Sequence, residues 1–127
     1  MQKQVVIPEG GAKPLAPYSP GIKAGMFLYT AGQIGLDPDS QTIVEGGVAA
    51  QAKQSLENLK KILEAGGASL DSVVKVTVFL QDIADYAAVN QVYGEYFTAD
   101  PPARSAVAVT GLPAGALVEI EAVALTG

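Results

Sequence analysis

The sequence contains no cysteine and no histidine. Without cysteine the chain can form neither disulfides nor thiol-based sites. Without histidine it lacks the most common general base and the most common metal ligand, so a Ser-His-Asp hydrolase triad is excluded. The carboxylates are scattered along the chain, and alone they do not indicate a metal site.

Basic residues are also scarce. Eight Lys and Arg stand against 13 Asp and Glu, which gives a net charge of −5. Binding to nucleic acid or to anionic membranes depends on an excess of basic side chains, so we expect neither partner. No apolar run is long enough to cross a membrane. The first four residues show no signal-peptide core, and we expect a cytoplasmic protein.

The 127 residues are 49% hydrophobic and only 17% charged, which suits one compact domain over residues 1–127. Apolar periodicity predicts two helices, the first over 48–65 and the second after Asp82, which can cap it. Strands are predicted at 4–7, 22–25, 26–31, 73–80, 104–109 and 118–125.

The order β-β-β-α-β-α-β-β indicates an α+β fold with one mixed sheet and two helices packed on one of its faces. The uncovered face needs a partner, and we expect association with further subunits. The last two strands are predicted to pair as antiparallel neighbours. In strand 73–80 we expect Val74 on the same side as the three apolar residues that follow at intervals of two.

Side-chain spacing also assigns faces to the helices. On the first, Leu56, Leu59 and Leu63 recur on one face, while Glu57 and its lysine neighbours form a solvated face without a function. On the second, the predicted buried face contains Tyr86, Val89, Tyr93 and Phe97. Asn90 follows Val89, and it either faces solvent or points back toward the strands.

Two charges interrupt apolar strands near the C-terminus. Arg104 begins one strand and Glu119 lies within the other. An unpaired buried charge is costly, so such residues need a partner or a function. One interpretation is that Arg104 binds a small carboxylate at two points while Glu119 handles a water molecule. The alternative is a salt bridge between strands, from Arg104 to Glu119 or Glu121.

Two loop residues have open interpretations as well. Tyr18 lies between Pro17 and Pro20, which restrict the backbone, and it either covers the end of the core or lines a site. Gly32 follows a strand, where glycine marks a bulge, a close approach to the backbone, or a simple bend.

Five segments resemble the RidA/YjgF family (reactive intermediate deaminase A). They are 29–34 (YTAGQI), 49–58 (AAQAKQSLEN), 74–80 (VKVTVFL), 102–105 (PARS) and 118–124 (VEIEAVA). The likeness runs in order through nearly the whole chain. It implies a chorismate-mutase-like fold and a homotrimer with clefts between neighbouring subunits. It also implies hydrolysis of 2-iminobutanoate and 2-iminopropanoate to 2-oxo acids and ammonia, without a cofactor.

The resemblance assigns roles to individual residues. Arg104 matches the arginine that binds the substrate carboxylate, and Glu119 matches the glutamate that positions the attacking water. Tyr18 matches a tyrosine that lines the cleft. Gly32 matches a glycine whose N–H lies near the ligand, and Asn90 matches an asparagine near the site.

Two positions depart from the family pattern. Ala106 stands where many members have Cys, and Ala31 stands where many have Ser or Thr. Ala106 can still offer its backbone N–H, whereas Ala31 lacks a hydroxyl that is worth about 1 kcal/mol as a hydrogen bond. These substitutions support an alternative function, a regulatory protein that binds 2-oxo acids in the same cleft without catalysis. The acidic charge and the missing histidines disfavour a ribonuclease.

Overall fold

The computed structural model describes residues 2–127. Nine main elements follow one another as β1 (Gln4–Val6), β2 (Gly21–Ala24), β3 (Phe27–Thr30), β4 (Gln33–Ile34), α1 (Gly47–Ala65), β5 (Val73–Leu80), α2 (Tyr86–Tyr96), β6 (Ala103–Ala108) and β7 (Val118–Leu125). Single 3₁₀ turns occupy Leu70–Ser72, Ile83–Asp85 and Pro113–Gly115. Each strand predicted from the sequence is present, and the short strand β4 is additional.

The strands form one mixed sheet in the order β1-β2-β3-β7-β5-β6, with β4 also paired to β7. Among the strands of residues 2–127, only β5 and β6 run parallel, and α2 is the crossover that such a pair requires. The predicted pairing of β6 with β7 is wrong. β5 lies between them, parallel to β6 and antiparallel to β7. Both edges of this apolar strand are therefore hydrogen-bonded within the sheet.

Both helices pack on one face of the sheet, as predicted. Val76, Val78 and Leu80 of β5 are at most 1% exposed. Together with the apolar faces of α1 and α2 they form one hydrophobic core cluster. The predicted face of α1 is confirmed, since Leu56, Leu59 and Leu63 are fully buried.

Three side-chain predictions fail, each for a local reason. A register shift between Val73 and Lys75 turns Val73 into the core and leaves Val74 exposed. Tyr86 is exposed rather than buried, since its hydroxyl accepts a hydrogen bond from an arginine. Glu57 is half-buried and accepts a 2.7 Å hydrogen bond from the Tyr96 hydroxyl, so it connects the two helices instead of facing only solvent.

The other face of the sheet is uncovered and largely apolar. Its exposed side chains come from β1, β3, β6 and β7 and are Val5, Phe27, Tyr29, Val107 and Leu125. We call this surface the open face. An exposed apolar sheet of this kind is typical of an interaction surface, as the element order predicted.

Candidate functional site

A β-bulge separates β3 from β4. Tyr29 pairs with Val123 and Gln33 pairs with Ile120, so three residues on one side oppose two on β7. The extra length pushes residues 31 and 32 out of the ladder. The Thr30 hydroxyl accepts the hydrogen bond from the Ala122 N–H at 3.0 Å.

The buried Gln33 side chain holds the bulge in place. Its amide nitrogen donates to the carbonyl oxygens of Ala31 and Gly32, both at 3.3 Å. Both carbonyls are therefore held by the same amide group. Of the interpretations that the sequence left open for Gly32, the structure supports the bulge with a close approach to the backbone.

The group that approaches Gly32 is the side chain of Glu119. A Cβ built on Gly32 would lie 2.7 Å from Glu119 Cδ, closer than real Cβ contacts. An alanine at this position would have to displace the Glu119 side chain. Burial, followed by the nearby negative charge of Glu121, raises the pKa of Glu119 above its ordinary value. A carboxyl group with a raised pKa holds its proton more readily than an exposed one and can exchange it with water.

Glu119 lies at the edge of a cavity of about 300 Å³. Tyr18, Ala31 and Gly32 line the same cavity, together with apolar side chains that include Leu15 and Ile34. The Tyr18 hydroxyl accepts a hydrogen bond from the Leu15 N–H at 3.3 Å, and the side chain is 46% exposed. Four of the seven residues predicted for the site therefore line one cavity.

Arg104 lies elsewhere, on the face of the sheet that carries the helices. It pairs with the buried Val76 of β5, whereas Glu119 pairs with Phe79, which points to the open face. The guanidinium lies over the rings of Tyr93, at 4.6 Å, and Tyr86, at 5.6 Å. Its Nη2 donates to the Tyr86 hydroxyl at 3.0 Å.

Two other predicted residues accompany Arg104. Asn90 is half-buried on α2, one turn after Tyr86. Ala106 follows Arg104 on the same face of β6 and packs against the core. The nearby Asn90 side chain, followed by Arg104, lowers the pKa of Tyr86.

The site residues thus form two groups in one chain. Tyr18, Ala31, Gly32 and Glu119 line the cavity beside the bulge, while Asn90, Arg104 and Ala106 lie at the β6 edge on the helix side. Alternation of strand side chains excludes the alternative interpretation, a salt bridge within one chain from Arg104 to Glu119 or Glu121, because both glutamates face the other way.

Sequence reasoning did not find the two tyrosines that hold Arg104. Tyr86 and Tyr93 are seven residues apart on α2 and therefore lie on one face of this helix. We interpreted that face as buried, but it also lies beside the edge strand β6. The sequence offered one signal of this contact: two prolines end α2, and Arg104 follows two residues after them. Among residues 2–127 no group of three or more acidic side chains could hold a metal ion.

Comparison with known proteins identifies the family. The family model described as Endoribonuclease L-PSP matches residues 10–126. A RutC family protein of Pyrococcus horikoshii is 53% identical over 122 residues, covering 96% of this chain and 97% of the relative. This chain belongs to the YjgF/RidA family.

Members of the YjgF/RidA family carry different functional names. A human relative, 48% identical over 113 residues, is named 2-iminobutanoate/2-iminopropanoate deaminase; the alignment covers 89% of this chain and 82% of the human protein. The P. horikoshii relative is named only by family. Family membership therefore includes imine deaminases without fixing the reaction of each member.

Solved structures of the YjgF/RidA family share the fold. The structure of Escherichia coli TdcF with bound serine superposes with a TM-score of 0.92 at 36% identity, covering 98% of this chain and 99% of TdcF. The chain therefore has the chorismate-mutase-like fold that its sequence predicted. Within residues 2–127, no helix has the length and hydropathy that a membrane crossing requires.

Proposed function

We propose that this YjgF/RidA protein hydrolyses 2-imino acids, with 2-iminobutanoate and 2-iminopropanoate as substrates. Water adds to the C=N carbon and the C–N bond then breaks, so that imino acid and water yield a 2-oxo acid and ammonia. The electrophilic substrate needs positioning and proton transfer rather than a strong nucleophile. The human relative named for this activity supports the proposal.

The arrangement of Arg104 is the single observation that carries the proposal. Two tyrosine rings and one hydroxyl hold the guanidinium, and that hydrogen bond occupies one of its five N–H donors. The planar fork can then bind a carboxylate at two points, which a lysine could not do. TdcF was solved with serine, a small molecule that carries a carboxylate.

Glu119 supplies the proton transfers in this proposal. Its ionised form accepts a proton as water attacks the imine carbon, and its raised pKa lets it return that proton to the departing nitrogen. The backbone N–H groups of Gly32 and Ala106 orient the substrate. Tyr18 forms part of the cavity wall around it.

A complete site requires two copies of the chain, because Arg104 and Glu119 lie on opposite faces of one sheet. We therefore infer that Arg104 of one subunit faces Glu119 of its neighbour, in the homotrimer that the family resemblance implies. The apolar open face, with Tyr29 and Val107, favours such an assembly.

Imine trapping tests the reaction directly. A threonine dehydratase generates 2-iminobutanoate, semicarbazide traps the free imine, and the protein should suppress the trapped product. Arg104→Ala should abolish the suppression while the protein keeps its size and fold. An Arg104→Ala variant with wild-type activity would contradict the assignment.

Ala31 and Ala106 support one alternative, a protein that binds 2-oxo acids without catalysis. Neither side chain offers a polar atom to the ligand. Binding of 2-oxobutanoate by the wild-type protein without suppression of the trapped imine would favour this alternative. The endoribonuclease in the family model's description is disfavoured by the net charge of −5 and the absence of histidine.

A further inference from the structure

Tyr86 lies directly beside the guanidinium of Arg104. Its hydroxyl oxygen accepts a hydrogen bond from Arg104 Nη2 at 3.0 Å. A phenolic oxygen can accept two hydrogen bonds and donate one. The bond from Arg104 uses an acceptor position, so the Tyr86 O–H proton can still be donated to a further group.

The Tyr86 side of the guanidinium is open to solvent. Tyr86 is 41% exposed, while Tyr93 beneath Arg104 is 7% exposed, so the guanidinium is covered by Tyr93 on one side and accessible beside Tyr86. A carboxylate that binds the fork of Arg104 would come next to Nη2. That place is also within reach of the Tyr86 hydroxyl.

We propose that Tyr86 is a carboxylate-binding residue whose hydroxyl donates directly to the acid group held by Arg104. The inference rests on the proposed function, because it assumes that Arg104 binds the substrate carboxylate. The ligand class is a 2-oxo or 2-imino acid with a free carboxylate.

The test measures binding of 2-oxobutanoate to the full-length protein. Tyr86→Phe keeps the ring beside Arg104 and removes only the hydroxyl, so the variant should fold and assemble normally. A hydrogen bond to a charged group predicts a loss of affinity of about tenfold or more. Tyr96→Phe is the matched control, because the Tyr96 hydroxyl binds Glu57 instead, and it should bind 2-oxobutanoate like the wild type.

A double variant distinguishes a Tyr86 hydroxyl that contacts the ligand from one that only positions Arg104. Tyr86→Phe is combined with Arg104→Lys, and 2-oxobutanoate is titrated by NMR at concentrations high enough to measure weak binding. Direct contact predicts a further several-fold loss in that background. No further loss, or no effect of Tyr86→Phe in either background, would overturn the proposal.

The same data distinguish the two proposals. Wild-type binding without imine hydrolysis would contradict the deaminase function alone and leave the role of Tyr86 standing. Imine hydrolysis with unchanged 2-oxobutanoate affinity in Tyr86→Phe would contradict the role of Tyr86 alone. A wild-type protein that does not bind 2-oxobutanoate would overturn the inference about Tyr86.

Discussion

The carboxyl group of Glu119 lies against the backbone of Gly32, and a Cβ at position 32 would stand 2.7 Å from Glu119 Cδ. We expect Gly32→Ala to displace this flexible side chain and to lower kcat/KM for imine hydrolysis by about ten- to hundredfold. The free energy of unfolding should change little, because the end of the side chain can rotate away. Kinetics and urea denaturation on the same preparation measure both effects.

Gly94→Ala is the matched control. Gly94 is exposed within α2, and a Cβ there would meet no atom within 4 Å. The variant should gain about 0.5–1 kcal/mol of stability from helix propensity and keep wild-type activity. Equal losses of activity in Gly32→Ala and Gly94→Ala would contradict the specific role of the contact between Gly32 and Glu119.

The raised pKa of Glu119 predicts a pH-dependent stability. The folded chain keeps this proton at pH values where the unfolded chain, with a glutamate pKa of about 4.3, has already released it. Stability therefore falls as the pH rises through this window. Glu119→Gln lacks the titration, so its Tm should match the wild type near pH 4 and exceed it modestly at pH 7. If Glu119→Gln instead became less stable than the wild type as the pH rises toward 7, the predicted direction of the pH dependence would be wrong.

Asn58 connects α1 to the segment that leads away from the bulge. It is 2% exposed, and its amide donates to the carbonyls of Leu36 at 2.9 Å and Ile34 at 3.3 Å. Asn58→Ala leaves a buried carbonyl unpaired and creates a cavity, so we expect a loss of about 2–3 kcal/mol. Gln54→Ala, which removes only a half-buried donor to Asn58, should cost less than half as much in the same denaturation experiment.

The open face predicts the effect of a new charge on assembly. Val107 lies on this face and is 46% exposed in one chain. In the proposed assembly, Val107→Glu would bury a carboxylate in a subunit interface, so the oligomer should dissociate at micromolar concentrations in analytical ultracentrifugation. Gln91→Glu adds the same charge on exposed α2 and should leave the mass unchanged. An unchanged mass for Val107→Glu would place the interface elsewhere.

The sequence predicted the helices, the main strands and the layering, because apolar periodicity reports burial directly. It could not predict that β5 separates β6 from β7, since strands that follow each other in the chain are usually neighbours. The register shift at Val73 was equally hidden. Val73 and Val74 are identical residues, so alternation alone cannot say which one is buried.

The sequence predicted the individual residues of the candidate site but not their positions relative to one another. Arg104 and Glu119 stood out as charges in apolar strands, yet their opposite faces follow only from the strand order. Tyr86 was missed because its helical spacing suggested burial, whereas the hydrogen bond from Arg104 keeps its hydroxyl at the surface. Polar partners of this kind depend on tertiary contacts that periodicity does not encode.

Mixing two variants that the proposal predicts to be inactive tests whether the proposed deaminase site is shared between chains. Arg104→Ala and Glu119→Ala are refolded together at equal amounts, and imine hydrolysis is compared with each variant alone. If Arg104 and Glu119 of one site come from different subunits, about a quarter of the sites in random oligomers regain both residues, and activity returns to about a quarter of the wild-type value. Mixed oligomers that form and remain as inactive as the separate variants would contradict the shared site.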